Sequence, residues 1–156
     1  MQSVWWKVSR KGSDLHEKAL AAISSAPVLD LLGDPLLLER VRFSKPNLLA
    51  RFLASPLFNG GGASAITLGH TVFLLKDDLD LDSPEGKALL VHELKHVEQM
   101  ERVGLLKFLL RYLWDYIRHG YGDGIAFERE AIQAEREAWA TLVAIPRDGG
   151  VGGQEI

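Results

Sequence analysis

Five consecutive residues, His92-Glu93-Leu94-Lys95-His96, carry the types and spacing that a zinc hydrolase places on one helical turn. On an α-helix, positions four apart lie about 40° apart around the axis and roughly 6 Å along it, so His92 and His96 can face one ion. Glu93 falls about 100° from His92, beside the ion rather than on it. Neutral imidazoles bind Zn²⁺, and an open fourth position holds a water whose pKa drops to about 7. Glu93 would take that water's proton as general base and return it to the leaving amine as general acid.

The motif needs a helix, and the flanking residues supply its ends. Ser83 reads as an N-cap, with Pro84 and Glu85 opening a helix that runs to about Val103 and stops at Gly104. Leu90, Leu94 and Val97 form its apolar stripe, whereas His92, His96 and Gln99 project on nearly the opposite side. Histidines turned away from the main apolar contact imply a cleft. Just upstream, Asp78, Asp80 and Asp82 alternate as in a calcium loop, but Ser83 and Leu89 stand where Gly and Glu are required, so the run is a polar turn.

A catalytic zinc needs a third protein ligand, and a later helix, Ala126 to about Val143, offers one. On it Glu128, Ala131, Ile132, Glu135, Ala138, Trp139 and Leu142 share a face that is otherwise apolar, while Arg129, Glu130, Gln133, Arg136 and Glu137 lie opposite. Burying an ionised carboxylate without a partner is costly, so Glu128 reads as a metal ligand. The competing reading puts both carboxylates at the rim, reaching water or an arginine. Glu135 is a candidate acceptor for the free N–H of a ligand histidine.

The stretch from Ile66 to Ala138 resembles the small bacterial gluzincin metallopeptidases, including minigluzincin-like proteins. The resemblance lies in Ile66-Thr67-Leu68-Gly69, Leu90 to Gln99, Gly120-Tyr121, and Ala126-Phe127-Glu128-Arg129-Glu130-Ala131. It implies a third ligand in an E-x-x-A pattern, which Glu128 and Ala131 match. It also implies a small sheet whose edge strand, residues 71–75, lies above the cleft and aligns an extended peptide by strand addition. By the same analogy His119 or Tyr121 would donate to the transition-state oxyanion, although both also read as turn and packing residues. Two positions depart from the pattern. Lys95 sets a charge where zincin helices are usually uncharged, and Ile132 stands where related families keep an Asp that supports a ligand histidine.

The elements that must position these residues are unevenly written. Ser13-Asp14 suggests the start of a helix running to about Ser25, with Leu15, Ala19, Ala22 and Ile23 on one side. Pro27, Pro35, Pro46 and Pro56 cut the following leucine-rich stretch into short turns, with Val41-Arg42-Phe43 a candidate strand. Asn59 to Gly62 marks a loop without the Lys-Ser/Thr of a phosphate-binding loop. Residues 65–68 and 71–75 flank Gly69-His70 as a tight hairpin. Leu105 to Arg118 is apolar except for Lys107, Arg111, Asp115 and Arg118, which suggests a buried helix. The same excess, over 105–117, also suits a membrane surface or a protein partner. The end, Asp148 to Gly153, is too glycine-rich to order itself.

Composition narrows the chemistry. The 156 residues contain no cysteine, which excludes thiolate metal sites, disulfides and cysteine nucleophiles. The formal charge of −3 argues against nucleic acid as a partner, and Arg40, Arg42, Lys45 and Arg51 read as a solvated basic stretch. With no signal-like N-terminus and no run long enough to cross a bilayer, a cytoplasmic address is the expectation. The expected architecture is a single mostly helical α+β domain over 1–146, zincin-like, with a Gly-rich tail over 147–156. The expected function is zinc-dependent peptide hydrolysis on a peptide or protein substrate. The alternative is a catalytically silent zincin-fold binding or scaffold module.

Overall fold

The computed structural model describes residues 5–24, 27–34, 36–55, 62–120, 122 and 124–145. Its elements run α1 (Trp5–Ser24), a 3-10 turn (Leu29–Leu31), α2 (Leu37–Arg40), β1 (Arg42–Ser44) and α3 (Leu48–Leu53). Then come β2 (Ala65–Leu68), β3 (Thr71–Leu74), α4 (Pro84–Val103), α5 (Leu105–His119) and α6 (Ala126–Ala144). The fold is mostly helical α+β.

Helix α1 starts well before Ser13, so Ser13 and Asp14 lie inside it rather than capping it. No proline interrupts Trp5 to Ser24, and the single Gly12 costs only about 1 kcal/mol, too little to break a helix held by packing. The expected inner face is correct: Ala19, Ala22 and Ile23 are buried, and Leu15 packs against them. The proline-cut stretch does form short pieces. Asn47 caps α3 by accepting from Ala50 N at 2.8 Å, and the strand begins one residue later than Val41. The Phe43 amide donates to His16 Nδ1 at 3.2 Å, tying β1 to α1.

β2 and β3 form the expected hairpin, with Gly69 at φ 61° in its two-residue turn. The sheet order, however, is β1-β3-β2. β1 pairs in parallel with β3 (Phe43 opposite Val72), so residues 71–74 are the central strand and not the edge. The short Arg42–Ser44 strand covers the far side of β3, a pairing that its three residues do not announce in sequence. β2 is the edge strand beside the cleft. Its phase is also legible: Leu75 N bonds Ser64 O at 2.9 Å, so the backbone groups of Ala65 and Thr67 point away from β3 toward that edge.

Helix α4 is central. Ser83 caps it, accepting from Gly86 N at 3.0 Å, while Ser83 Oγ donates to the Asp80 carbonyl at 2.7 Å. The aspartate run thus closes on its own backbone as a turn. Gly104, at φ 86°, ends the helix as expected. Leu90, Val91, Leu94 and Val97 fill a core with α1, the sheet, and Ala134 and Ala138 of α6. A second, smaller cluster of Met100, Phe108, Ile125 and Phe127 lies on another side of α4. Phe108 and Phe127 stack with centroids 4.6 Å apart.

Two side-face expectations are corrected. Helix α5 is not a core helix: Phe108 is its one buried residue, while Leu106, Leu110, Trp114 and Ile117 are exposed. It lies on α4 by one narrow stripe, Phe108, Tyr112 and Tyr116, which leaves its remaining apolar residues outside. The buried face of α6 is turned toward Phe127, Ala131, Ala134 and Ala138, because alanines let it lie close on α4. Trp139 is consequently outside, its indole N–H donating to Glu85 at 3.3 Å. Glu128 is itself buried on α6 and lines the cleft, while the half-buried Glu135 lies beside His92. No helix among the described residues is long and apolar enough to cross a membrane.

Candidate metal centre

Between the sheet edge and α5 lies a cleft of about 270 Å³. β2 forms one wall and Phe108, Leu109, Tyr112, Leu113 and Tyr116 of α5 the other. His92, Glu93, His96 and Glu128 line the same cleft.

The three expected ligands converge. His92 Nε2 and His96 Nε2 are 3.2 Å apart, and each is 3.4 Å from a Glu128 carboxylate oxygen. The two histidines reach different Glu128 oxygens, His92 to Oε2 and His96 to Oε1, and with one ligand atom taken from each residue the three atoms lie within 4.8 Å of one another, a little wider than the roughly 3.3–3.4 Å between donors of a tetrahedral zinc with bonds of about 2.0–2.1 Å. Among the described residues, these three form the group of His and carboxylate side chains able to hold a metal ion.

Each histidine is also oriented by its other nitrogen. His92 Nδ1 donates to Glu135 Oε2 at 2.9 Å, since a carboxylate can only accept. His96 Nδ1 lies 2.9 Å from Gln99 Oε1, whose own amide donates to the Phe127 carbonyl at 3.0 Å and to Glu130 at 3.1 Å. Both Nδ1 atoms are engaged, which turns both Nε2 atoms to the cleft, the orientation that metal binding requires. The support that an Asp at position 132 would give comes from Glu135, one turn further along α6. Phe108 meets the His96 ring edge-on at 5.9 Å and limits its rotation.

Glu128 is 4% exposed, and its partners are the two histidines and the Tyr112 hydroxyl, which donates to Oε1 at 2.9 Å. It is the third residue of α6, where the helix dipole favours a carboxylate. Asp115 of α5 accepts from the Ala126 amide at 3.4 Å and so helps close that helix start. Burial alone would raise the Glu128 pKa, but hydrogen bonds from His92 and His96 override it and hold the carboxyl well below the usual range. Burial would likewise lower His92, yet Glu128 and Glu135 push it up to about 10. The metal-free site is therefore a buried ion pair, with a proton standing where a cation fits.

Glu93 is buried at 5% exposure and is no part of the ligand triangle. Thr67 donates to its Oε2 at 2.5 Å. Thr67 and Tyr112 are the polar contacts that sequence reasoning passed over, and Gln99 was placed on the histidine face without a role. Thr67 had a readable signal, as the polar residue on the inward phase of an otherwise apolar strand.

His119 does not join the site. It is exposed at the end of α5, packs beside Gly124, and is absent from the cleft lining. Tyr121 lies outside the described residues, as does the Gly-rich tail. Lys95 pairs with Glu98 at 2.6 Å, and Glu98 also accepts from the Gly33 amide. The departure at this position thus fastens α4 to the N-terminal segment.

A family model described as the eCIS core domain matches residues 43–104, less than half of the chain. The match runs from β1 through α4, so it includes His92, Glu93 and His96 and ends before Glu128. Comparison with curated proteins and with solved structures gives no match.

Proposed function

We propose that this chain is a zinc-dependent metallopeptidase, with His92, His96 and Glu128 as ligands and Glu93 as general base and acid. The observation that carries the reading is the convergence of His92, His96 and Glu128, with ligand atoms within 4.8 Å of one another, beside a buried carboxylate that is not one of the three. A bound zinc supplies Lewis-acid chemistry, activating a water and polarising a carbonyl.

The chain's own residues do the rest. Thr67 holds Oε2 of Glu93, which leaves Oε1 to accept a proton from the attacking water and to deliver it to the departing amine. The edge of β2, open among the described residues and with the Ala65 and Thr67 backbone groups outward, can pair with an extended peptide and lay it across the cleft. The apolar wall of α5 accommodates an apolar side chain and keeps water from the reacting bond.

The test is a mixed-peptide cleavage assay on zinc-loaded wild-type protein and on Glu93→Gln. Cleavage by the wild type, lost in a variant that keeps its zinc, supports the peptidase. Zinc uptake with no cleavage of any peptide in the mixture favours the binding module.

A further inference from the structure

We infer that the outer face of α5 is a docking surface for an anionic lipid membrane. Around the helix, Leu106, Leu110, Trp114 and Ile117 occupy one continuous arc, and they are 70%, 60%, 57% and 70% exposed. Beside that arc, at about 200–240° when Leu105 is set at zero, Lys107, Arg118 and Arg111 form a single file. Asp115, the helix's one carboxylate, turns inward to the Ala126 amide, and Glu130 of α6, which shares a pocket with Lys107 and Arg111, is paired with Arg102 at 3.0 Å.

The charge decides the occupant. A chain with a net charge of −3 has gathered three cations along one apolar arc about 22 Å long. A surface bearing phosphatidylserine offers anions along the whole file and a hydrocarbon boundary for the arc, the pattern of a helix that lies in the interface plane. Arg118 sits over the Trp114 ring at 4.7 Å, joining a cation to an aromatic at the border of the two zones. Since no described helix can cross a bilayer, contact is peripheral. Leu109 and Leu113 border the arc and also line the cleft, so docking sets the cleft mouth at the lipid boundary. The inference stands on the helix alone and does not depend on metal or turnover.

The experiment is flotation of the purified full chain with vesicles of phosphatidylcholine alone or mixed with phosphatidylserine, at low and high salt. The wild type is expected to float with the mixed vesicles at low salt and to lose most of that binding at high salt. Lys107→Glu with Arg118→Glu, and separately Leu110→Gln with Ile117→Gln, should each weaken binding roughly tenfold or more while melting like wild type. Failure of the wild type to float at low salt overturns the inference. Equal binding to pure phosphatidylcholine overturns its anionic part. A dimer in solution that Leu110→Gln with Ile117→Gln dissociates assigns the face to a second copy instead.

Discussion

Thr67 on the edge strand donates its hydroxyl to Glu93 on the motif helix at 2.5 Å, joining the strand that borders the cleft to the carboxylate beside the metal triangle. If Glu93 moves the proton, Thr67→Val removes a hydrogen bond to a charged group at nearly constant volume, worth about 1.5–3 kcal/mol. The expected result is a drop in kcat of roughly 10- to 100-fold, with zinc content unchanged and Thr67→Ser recovering most of the rate. A merely structural threonine would leave kcat alone and lower the melting temperature.

The histidine supports test the metal reading without touching a ligand. Glu135→Ala frees His92 Nδ1, and Gln99→Leu frees His96 Nδ1. Each should weaken zinc binding by roughly 10- to 100-fold in a chelator competition. Glu135→Gln keeps an acceptor oxygen and should lose much less.

The metal-free protein should show a specific pH dependence. The folded-state pKa of His92, about 10, lies above its ordinary 6.5, so its contribution is full below 6.5 and is lost as pH rises through 10. Glu128 is shifted the other way: its contribution is full above 4.5 and is lost as pH falls through its depressed pKa. Melting of the metal-stripped protein should peak between pH 4.5 and 6.5 and decline toward pH 10. Zinc must displace the His92 proton, so its apparent affinity should rise by roughly tenfold per pH unit near neutrality, with proton release visible by calorimetry in buffers of different ionisation enthalpy.

Ala131 is fully buried one turn after Glu128, where α6 lies against α4. Ala131→Leu should overpack this contact, destabilising the fold by about 1–3 kcal/mol in denaturant melts. The same shift would displace Glu128 and lower zinc affinity. A variant that melts like wild type would contradict the close packing.

How much of this was legible varies with the range of the interaction. Helix α4 could be read to its ends, because Ser83, Pro84 and Gly104 are local signals with local causes. Glu128 and Glu135 could be found because a helix face exposes a carboxylate among apolar neighbours. The strand order could not: nothing in Arg42-Phe43-Ser44 announces pairing with Thr71-Val72-Phe73, a contact made only in three dimensions. Helix α5 misled for a related reason, since its composition suits a core but its burial is set by what packs on it. Thr67 and Tyr112 each act on a residue brought near by folding, and only the alternation of β2 hinted at the first, whereas Gln99 lies one turn from His96 on the face the wheel already gave it.

The most direct measurement is zinc titration of the metal-stripped protein, run alongside His96→Ala, Glu128→Ala and Glu93→Gln. Wild type and Glu93→Gln should each bind one equivalent, with severe loss in His96→Ala and Glu128→Ala. A wild-type protein that takes up no zinc, or a Glu128→Ala variant that binds it as tightly, would contradict the metal centre on which the functional reading rests.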